Sequence, residues 1–158
     1  MPTRPIKVYA DTSVYGGVFD EEFAPPSRDF FDQAGSGRFR LVVSPLIADE
    51  LNDAPDEVRG FFQAVRGTAE VADVTEEAIR LQQAYVTAAI VGPKWEADAL
   101  HVAVATVFEC RLIVSWNFRH IVNFQKIPLY NGVNLAKGYG AIAIHTPQEV
   151  IGHENEDL

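Results

Sequence analysis

Ile6-Lys7-Val8-Tyr9-Ala10-Asp11 is a short apolar, β-branched run that stops on an acid. It reads as a buried strand with Asp11 at its carboxyl end. Working outward, Phe39 to Val43 predicts a second strand, Ala69 to Val74 a short third, Leu112 to Trp116 a fourth and Ala141 to Ile144 a last. Helical patterns lie between them. Ser27 predicts the cap of a short helix through Phe30, Phe31 and Ala34, stopped by Gly35 and Gly37. Ser44-Pro45 predicts a cap and first-turn proline ahead of Leu46, Ile47, Glu50 and Leu51. Val58, Phe61, Phe62 and Val65 form an apolar stripe on a helix over Asp56 to Arg66. Thr75 opens a long helical pattern that stops at Gly92-Pro93, and another helix spans Trp95 to about Glu109. Gly132, Gly138 and Gly140 with polar neighbours predict a loop, and Thr146-Pro147-Gln148-Glu149 a capping box for the final helix.

This alternation predicts an α/β fold, a three-layer α/β/α sandwich around a mainly parallel central sheet. Residues 1–150 are expected to form one domain, and residues 151–158 an acidic, frayed tail. In open sheets of this kind the binding crevice lies beyond the carboxyl ends of the strands. Asp11 and Asn117 fall there.

A chain of 158 residues with 47% hydrophobic and 22% charged residues has ordinary globular composition. At this size a fold buries roughly 68–70% of the unfolded chain's surface, so neither disulfides nor a structural metal are needed. The lone Cys110 excludes an internal disulfide and a Cys-rich zinc framework, which fits a reducing cytoplasm. The first residues carry no secretory pattern, and no apolar stretch approaches the roughly 18–20 residues of a membrane helix, so a soluble protein is expected. A net charge of −9 argues against the broad electropositive surface of a general nucleic-acid binder. A cation held by a carboxylate cluster would invert that sign locally.

Four features bear on chemistry: Asp11-Thr12-Ser13, Glu50, Trp95 to His101, and Ser115-Trp116-Asn117. Taken singly, Asp11 reads as a turn or cap residue and Glu50 as a solvated helix position. Asp98 stands among Ala97, Ala99, Val102, Ala103, Val104 and Ala105, so it is expected to be buried and to need a partner. An arginine, a cap-type hydrogen bond or a shared cation would each serve. A shared cation also accounts for Asp11 at the sheet edge. Hard cations such as Mg²⁺ and Mn²⁺ prefer oxygen ligands and commonly take only one or two carboxylates, with water filling the rest.

Val8-Tyr9-Ala10-Asp11-Thr12-Ser13, Ser44-Pro45-Leu46-Ile47-Ala48-Asp49-Glu50-Leu51, Ala97-Asp98-Ala99-Leu100-His101-Val102-Ala103 and Ile113-Val114-Ser115-Trp116-Asn117-Phe118 follow one another in an order and spacing that resembles PIN domains. VapC-like toxins of toxin–antitoxin pairs resemble it in particular. The resemblance spans nearly the whole chain and rests on the four segments together. It implies a Mg²⁺- or Mn²⁺-dependent endoribonuclease acting on RNA, a homodimer, and an antitoxin protein as partner. Asp11 and Asp98 would ligate the metal, Glu50 would complete the acidic centre directly or through water, and Thr12, Ser13 and Ser115 would be supporting hydroxyls. Many relatives carry a fourth acid where this chain has Asn117, whose amide can bind a cation or position water but cannot take a proton at neutral pH. The alternative is therefore a weak or inactive PIN-like module that binds RNA or protein.

His101, three residues after Asp98, reads as structural. His120 follows Asn117 closely and, with Arg119 and Lys126, is a candidate phosphate contact. No histidine spacing suits zinc. Trp95, Trp116 and the ten Phe read as core rather than as stacking platforms. A phosphotransfer domain of the receiver or dehalogenase kind also places an Asp after its first strand. Thr12-Ser13 in place of a second acid, and no acid pair before Asp11, argue against it.

Overall fold

The computed structural model describes residues 4–152. From the amino terminus the chain forms β1 (Ile6–Ala10), α1 (Thr12–Gly17), α2 (Ala24–Gly35), β2 (Phe39–Val43), α3 (Pro45–Glu50), α4 (Asp56–Arg66), β3 (Glu70–Val71) and α5 (Glu76–Thr87). After a 3₁₀ turn over Pro93–Trp95 come α6 (Glu96–Val107), β4 (Leu112–Val114), α7 (Ile127–Ala136), β5 (Ala143–His145) and α8 (Pro147–Val150). All strand pairs are parallel, in the order β3-β2-β1-β4-β5. Val8, Tyr9, Ala10, Ile113 and Val114 are wholly buried, as expected of central strands covered on both faces. No helix among the described residues is long and apolar enough to cross a membrane.

The strand order fixes where a site can form. From β1 the chain steps outward through β2 to β3, then returns to the other side of β1 and steps outward again through β4 and β5. Because parallel crossovers are right-handed, reversing the direction puts the connecting helices on opposite faces. The helix contacts agree: α1 packs on α2 and α4, whereas α5 packs on α6 and α7. The switch point lies between β1 and β4, and the crevice beyond their carboxyl ends receives Asp11 and Ser115.

Several local expectations change. Residues 12–17, where no helix is expected from the sequence, form α1, because the Asp11 carboxylate accepts from the Ser13 amide and caps the turn. α2 begins at Ala24 with prolines in its first turn, so Ser27 is not its cap but lies inside the helix, fully buried. Residues 127–136 are helical rather than a loop: Pro128 suits the first turn, and only Gly138, at φ +89°, takes the left-handed conformation that ends such a helix. β3 keeps just Glu70 and Val71, and the last strand is shifted to Ala143–His145. The capping box at Thr146 and Glu149 forms in both directions. The tail at His153–Leu158 lies outside the described residues.

Most of the aromatic side chains do fill the core. Tyr15 packs against Phe31 and Phe62, and Tyr85 meets Tyr130 edge-on at 4.9 Å. Phe118 and Phe124 depart from that reading, with Phe124 92% exposed.

Candidate functional site

Asp11 leaves the end of β1 with its side chain only 4% exposed. Its Oδ1 accepts from the Ser13 hydroxyl at 2.6 Å and the Ser13 amide at 3.2 Å, and its Oδ2 accepts from the Ser115 hydroxyl at 2.8 Å. The two serines are themselves held: the Trp116 amide donates to Ser13 Oγ and the Asn117 amide to Ser115 Oγ, each at 2.9 Å. No lysine or arginine pairs with Asp11 among the described residues. Burial therefore pushes its carboxyl above the ordinary range, against the opposing pull of His101 and the two hydroxyls, while the nearby Glu50 pushes it further up.

Glu50, the last residue of α3, stands across the crevice. His101 Nε2 lies 2.7 Å from its Oε1, and the Thr12 hydroxyl donates to the same oxygen. Burial alone would raise this carboxyl, but the His101 bond and charge and the Thr12 hydroxyl outweigh it and hold Glu50 below its usual range. His101 is in turn fixed from behind, with Nδ1 2.7 Å from the Tyr9 hydroxyl, which lies 2.8 Å from Ser44 Oγ. All three of these residues are buried. Ser44, expected as a side-chain cap for α3, makes no such bond and turns to Tyr9 instead.

Asp98 sits in the first turn of α6 and is half-buried rather than buried. The apolar wrap of this helix begins at Ala99, so the first turn keeps access to solvent, where an acid also favours the helix dipole. Its charge acts on His120 and Tyr130. Among the described residues no three His, Cys, Asp or Glu side chains converge as a metal-holding group. Asn117 spends its Oδ1 on the His120 amide at 2.9 Å, closing the turn after β4.

His120 is buried, stacks on Trp95 with ring centres 4.9 Å apart, and has Lys126 Nζ 3.2 Å from its Nδ1. Its Nε2 has no hydrogen-bond partner among the described residues. Burial, Lys126 and Arg119 lower its pKa, with Asp98 opposing. The Arg119 guanidinium and the Lys94 ammonium lie 5.1 and 5.2 Å from the Trp95 ring centre, so two cations meet one indole, and Lys126 a third on its stacked partner His120, in a chain of net charge −9. On the other flank Trp116 stacks on Phe23 at 4.3 Å beside the exposed Phe118, and its indole N–H donates to Ser27 Oγ at 2.9 Å.

The donor set suits a hard, partly hydrated cation. Asp11 is a buried carboxylate with no cationic partner, the situation a bound cation relieves. Counting hydrogen bonds leaves Asp11 Oδ2 with one acceptor position and Glu50 Oε2 with no donor among the described residues. Two carboxylate oxygens with water around them match the habit of Mg²⁺. A cage of three or more carboxylates does not form.

No protein-family model matches the sequence, and no curated protein matches it. Among solved structures, the chain is similar to a chain in the crystal structure of DNA-bound VapBC from Salmonella typhimurium, at a TM-score of 0.57 and 21% identity over 90% of this chain and 98% of that one. The fold is PIN-like. This agrees with the α/β, VapC-like architecture expected from the four motif segments. Tyr9 is the participant that sequence reasoning missed, and His101, read as structural, is bonded directly to Glu50. The available signals were a tyrosine in an otherwise aliphatic buried strand, whose hydroxyl needs a partner, and a histidine one turn after Asp98.

Proposed function

We propose that this PIN-like chain is a Mg²⁺- or Mn²⁺-dependent endoribonuclease and the toxin of a toxin–antitoxin pair, acting in the cytoplasm as a homodimer. The observation that carries the reading is the buried Asp11 at the switch point of the sheet, without a lysine or arginine partner among the described residues and within reach of the Glu50 charge. The VapBC complex to which the chain is similar pairs two proteins, and an antitoxin partner here is proposed on that likeness.

Asp11 and Glu50 would hold the metal, with Asp98 completing the centre. A bound divalent cation lowers the pKa of water and offsets charge on phosphate oxygens. The rest falls to the chain. Ser13 and Ser115 keep Asp11 in one rotamer and ionised enough to bind, and Thr12 does the same for Glu50. Asp98, which acts on His120 and Tyr130 beside that pair, would accept the proton of the attacking water at its carboxylate. Lys94, Arg119 and Lys126 would receive phosphates along the RNA, with the buried His120 supporting them from behind Trp95, and the exposed Phe118 beside Trp116 would offer aromatic surface on which bases stack.

The second reading, a PIN-like module that binds RNA or protein with little or no cleavage, draws on Asn117. An amide whose oxygen closes its own turn does not replace a fourth acid. Calorimetric titration with Mn²⁺ of the wild type and of the Asp11→Asn, Asp98→Asn double variant, followed by RNA cleavage, separates the two. Binding and cleavage both lost in the folded double variant is the expected result. Equal Mn²⁺ uptake by both proteins, with no cleavage by either, would replace the nuclease with the binding module.

A further inference from the structure

The chain Ser44–Tyr9–His101–Glu50 is buried at one end and ends at the crevice at the other. The Glu50 carboxylate can only accept, so the Nε2–H of His101 is the donor at the crevice end. Behind it Nδ1 is held at 2.7 Å by the Tyr9 hydroxyl, and Tyr9 at 2.8 Å by Ser44. Thr12 donates to that same Oε1. Both acceptor positions of Oε1 are then filled, and Oε2 is the carboxylate oxygen left without a donor among the described residues. Asp11 repeats the arrangement: Ser13 fills Oδ1 twice, and Ser115 leaves one position on Oδ2.

We infer that His101, braced by Tyr9 and Ser44, is a positioning residue that, with Thr12, keeps Glu50 a one-oxygen ligand and thereby sets the site against Ca²⁺. This rests on the metal-centre reading above. The physics is coordination number. Mg²⁺ and Mn²⁺ are satisfied by single oxygens in an octahedral shell completed with water, whereas Ca²⁺ takes six to eight oxygens and gains from a carboxylate that binds through both. Such a clasp requires a free Oε1. A hydrogen bond from an imidazole N–H inside a buried network does not yield easily, because breaking it leaves buried donors unpaired.

The test is calorimetry with Mn²⁺ and with Ca²⁺ on the wild-type chain, His101→Leu, His101→Gln, Tyr9→Phe and Thr12→Val, each first shown to be folded by its melt. The wild type is expected to bind Mn²⁺ at least about tenfold tighter than Ca²⁺. His101→Leu and Thr12→Val each shrink that ratio about threefold or more by strengthening Ca²⁺. Tyr9→Phe moves it the same way by freeing the imidazole, and His101→Gln, which retains an N–H donor, restores it. Waters on bound Mn²⁺, counted by proton relaxation, fall by one where Glu50 closes on the ion with both oxygens. If His101→Leu does not fold, Thr12→Val carries the test, since it frees the same oxygen from the crevice side. An unchanged Mn²⁺ to Ca²⁺ ratio in the folded variants overturns the role of His101 while leaving the metal centre standing. A wild type that binds neither ion overturns both.

Discussion

Replacing Asp11 by Asn should stabilise the metal-free protein while removing its metal. The carboxylate is buried without a cationic partner, and its pKa is raised from 3.8 chiefly by desolvation. A carboxyl whose folded pKa lies above its unfolded value contributes stability that is fully present below the unfolded pKa and lost as pH rises through the folded one. At neutral pH the wild type therefore carries a penalty that Asn lacks. In the variant the two bonds from Ser13 become neutral ones and the third reverses, the Asn N–H donating to Ser115 Oγ, a loss of roughly 1 kcal/mol each, while relief of an unpaired buried charge returns several kcal/mol. The raised pKa says that burial outweighs the bonds, so the net gain is about 1–2 kcal/mol, or roughly 2–8 °C in Tm for a chain of 158 residues. Melts of both proteins in EDTA should nearly coincide near pH 4 and separate, variant above wild type, toward pH 7.5. Adding Mn²⁺ at about 100 times its Kd raises the wild type by about 2.7 kcal/mol and reverses the order. A variant that melts below the wild type in EDTA at neutral pH would refute the premise that Asp11 is an uncompensated charge.

Gly17→Ala should destabilise by about 1–3 kcal/mol in urea titration, because a Cβ there would come within 2.6 Å of Ser27 Oγ and 2.9 Å of Trp116 Nε1, and a neutral result would mean that Trp116 is free to move. Burial pushes the Cys110 thiol up to about 12, so it should react with a disulfide reagent only as fast as the native fold opens; immediate labelling at pH 8 would contradict that burial. Asn117→Asp retains an oxygen for the His120 amide and supplies the absent acid, so RNA cleavage should rise at least about tenfold with no change in melting; no rise would remove position 117 from the chemistry.

The fold was legible where hydrophobic period and helix punctuation agreed. Val8 to Ala10 and Leu112 to Val114 announce themselves as central strands because both faces are covered, and Thr146 with Glu149 announces a helix start by local chemistry alone. What escaped depended on distant partners. Residues 127–136 looked like a loop because Gly132 weakens the helical pattern, and only packing on α5, with the Tyr85 hydroxyl donating to Asn134, makes the segment helical. Ser27 and Ser44 resemble caps in sequence, but their hydroxyls serve Trp116 and Tyr9, residues 89 and 35 positions away. For the site, the order of the acids was readable and their grouping was not. The charge of Glu50 acts on Asp11 near the switch point, whereas the charge of Asp98 acts on His120 and Tyr130.

Asp11 does two jobs with one side chain: its Oδ1 terminates the first turn of α1, and its Oδ2 faces the crevice. Whatever neutralises that carboxylate, a proton or a cation, also weakens its hold on the Ser13 amide, and α1 has only 6 residues in which to absorb the change. Tyr15 on the same short helix is anchored in the aromatic core, so the far end stays put and the adjustment collects at Thr12 and Ser13. The exchange rate of a single backbone hydrogen, that of Ser13, thus becomes a built-in gauge of the charge state of the crevice, readable without substrate and without turnover.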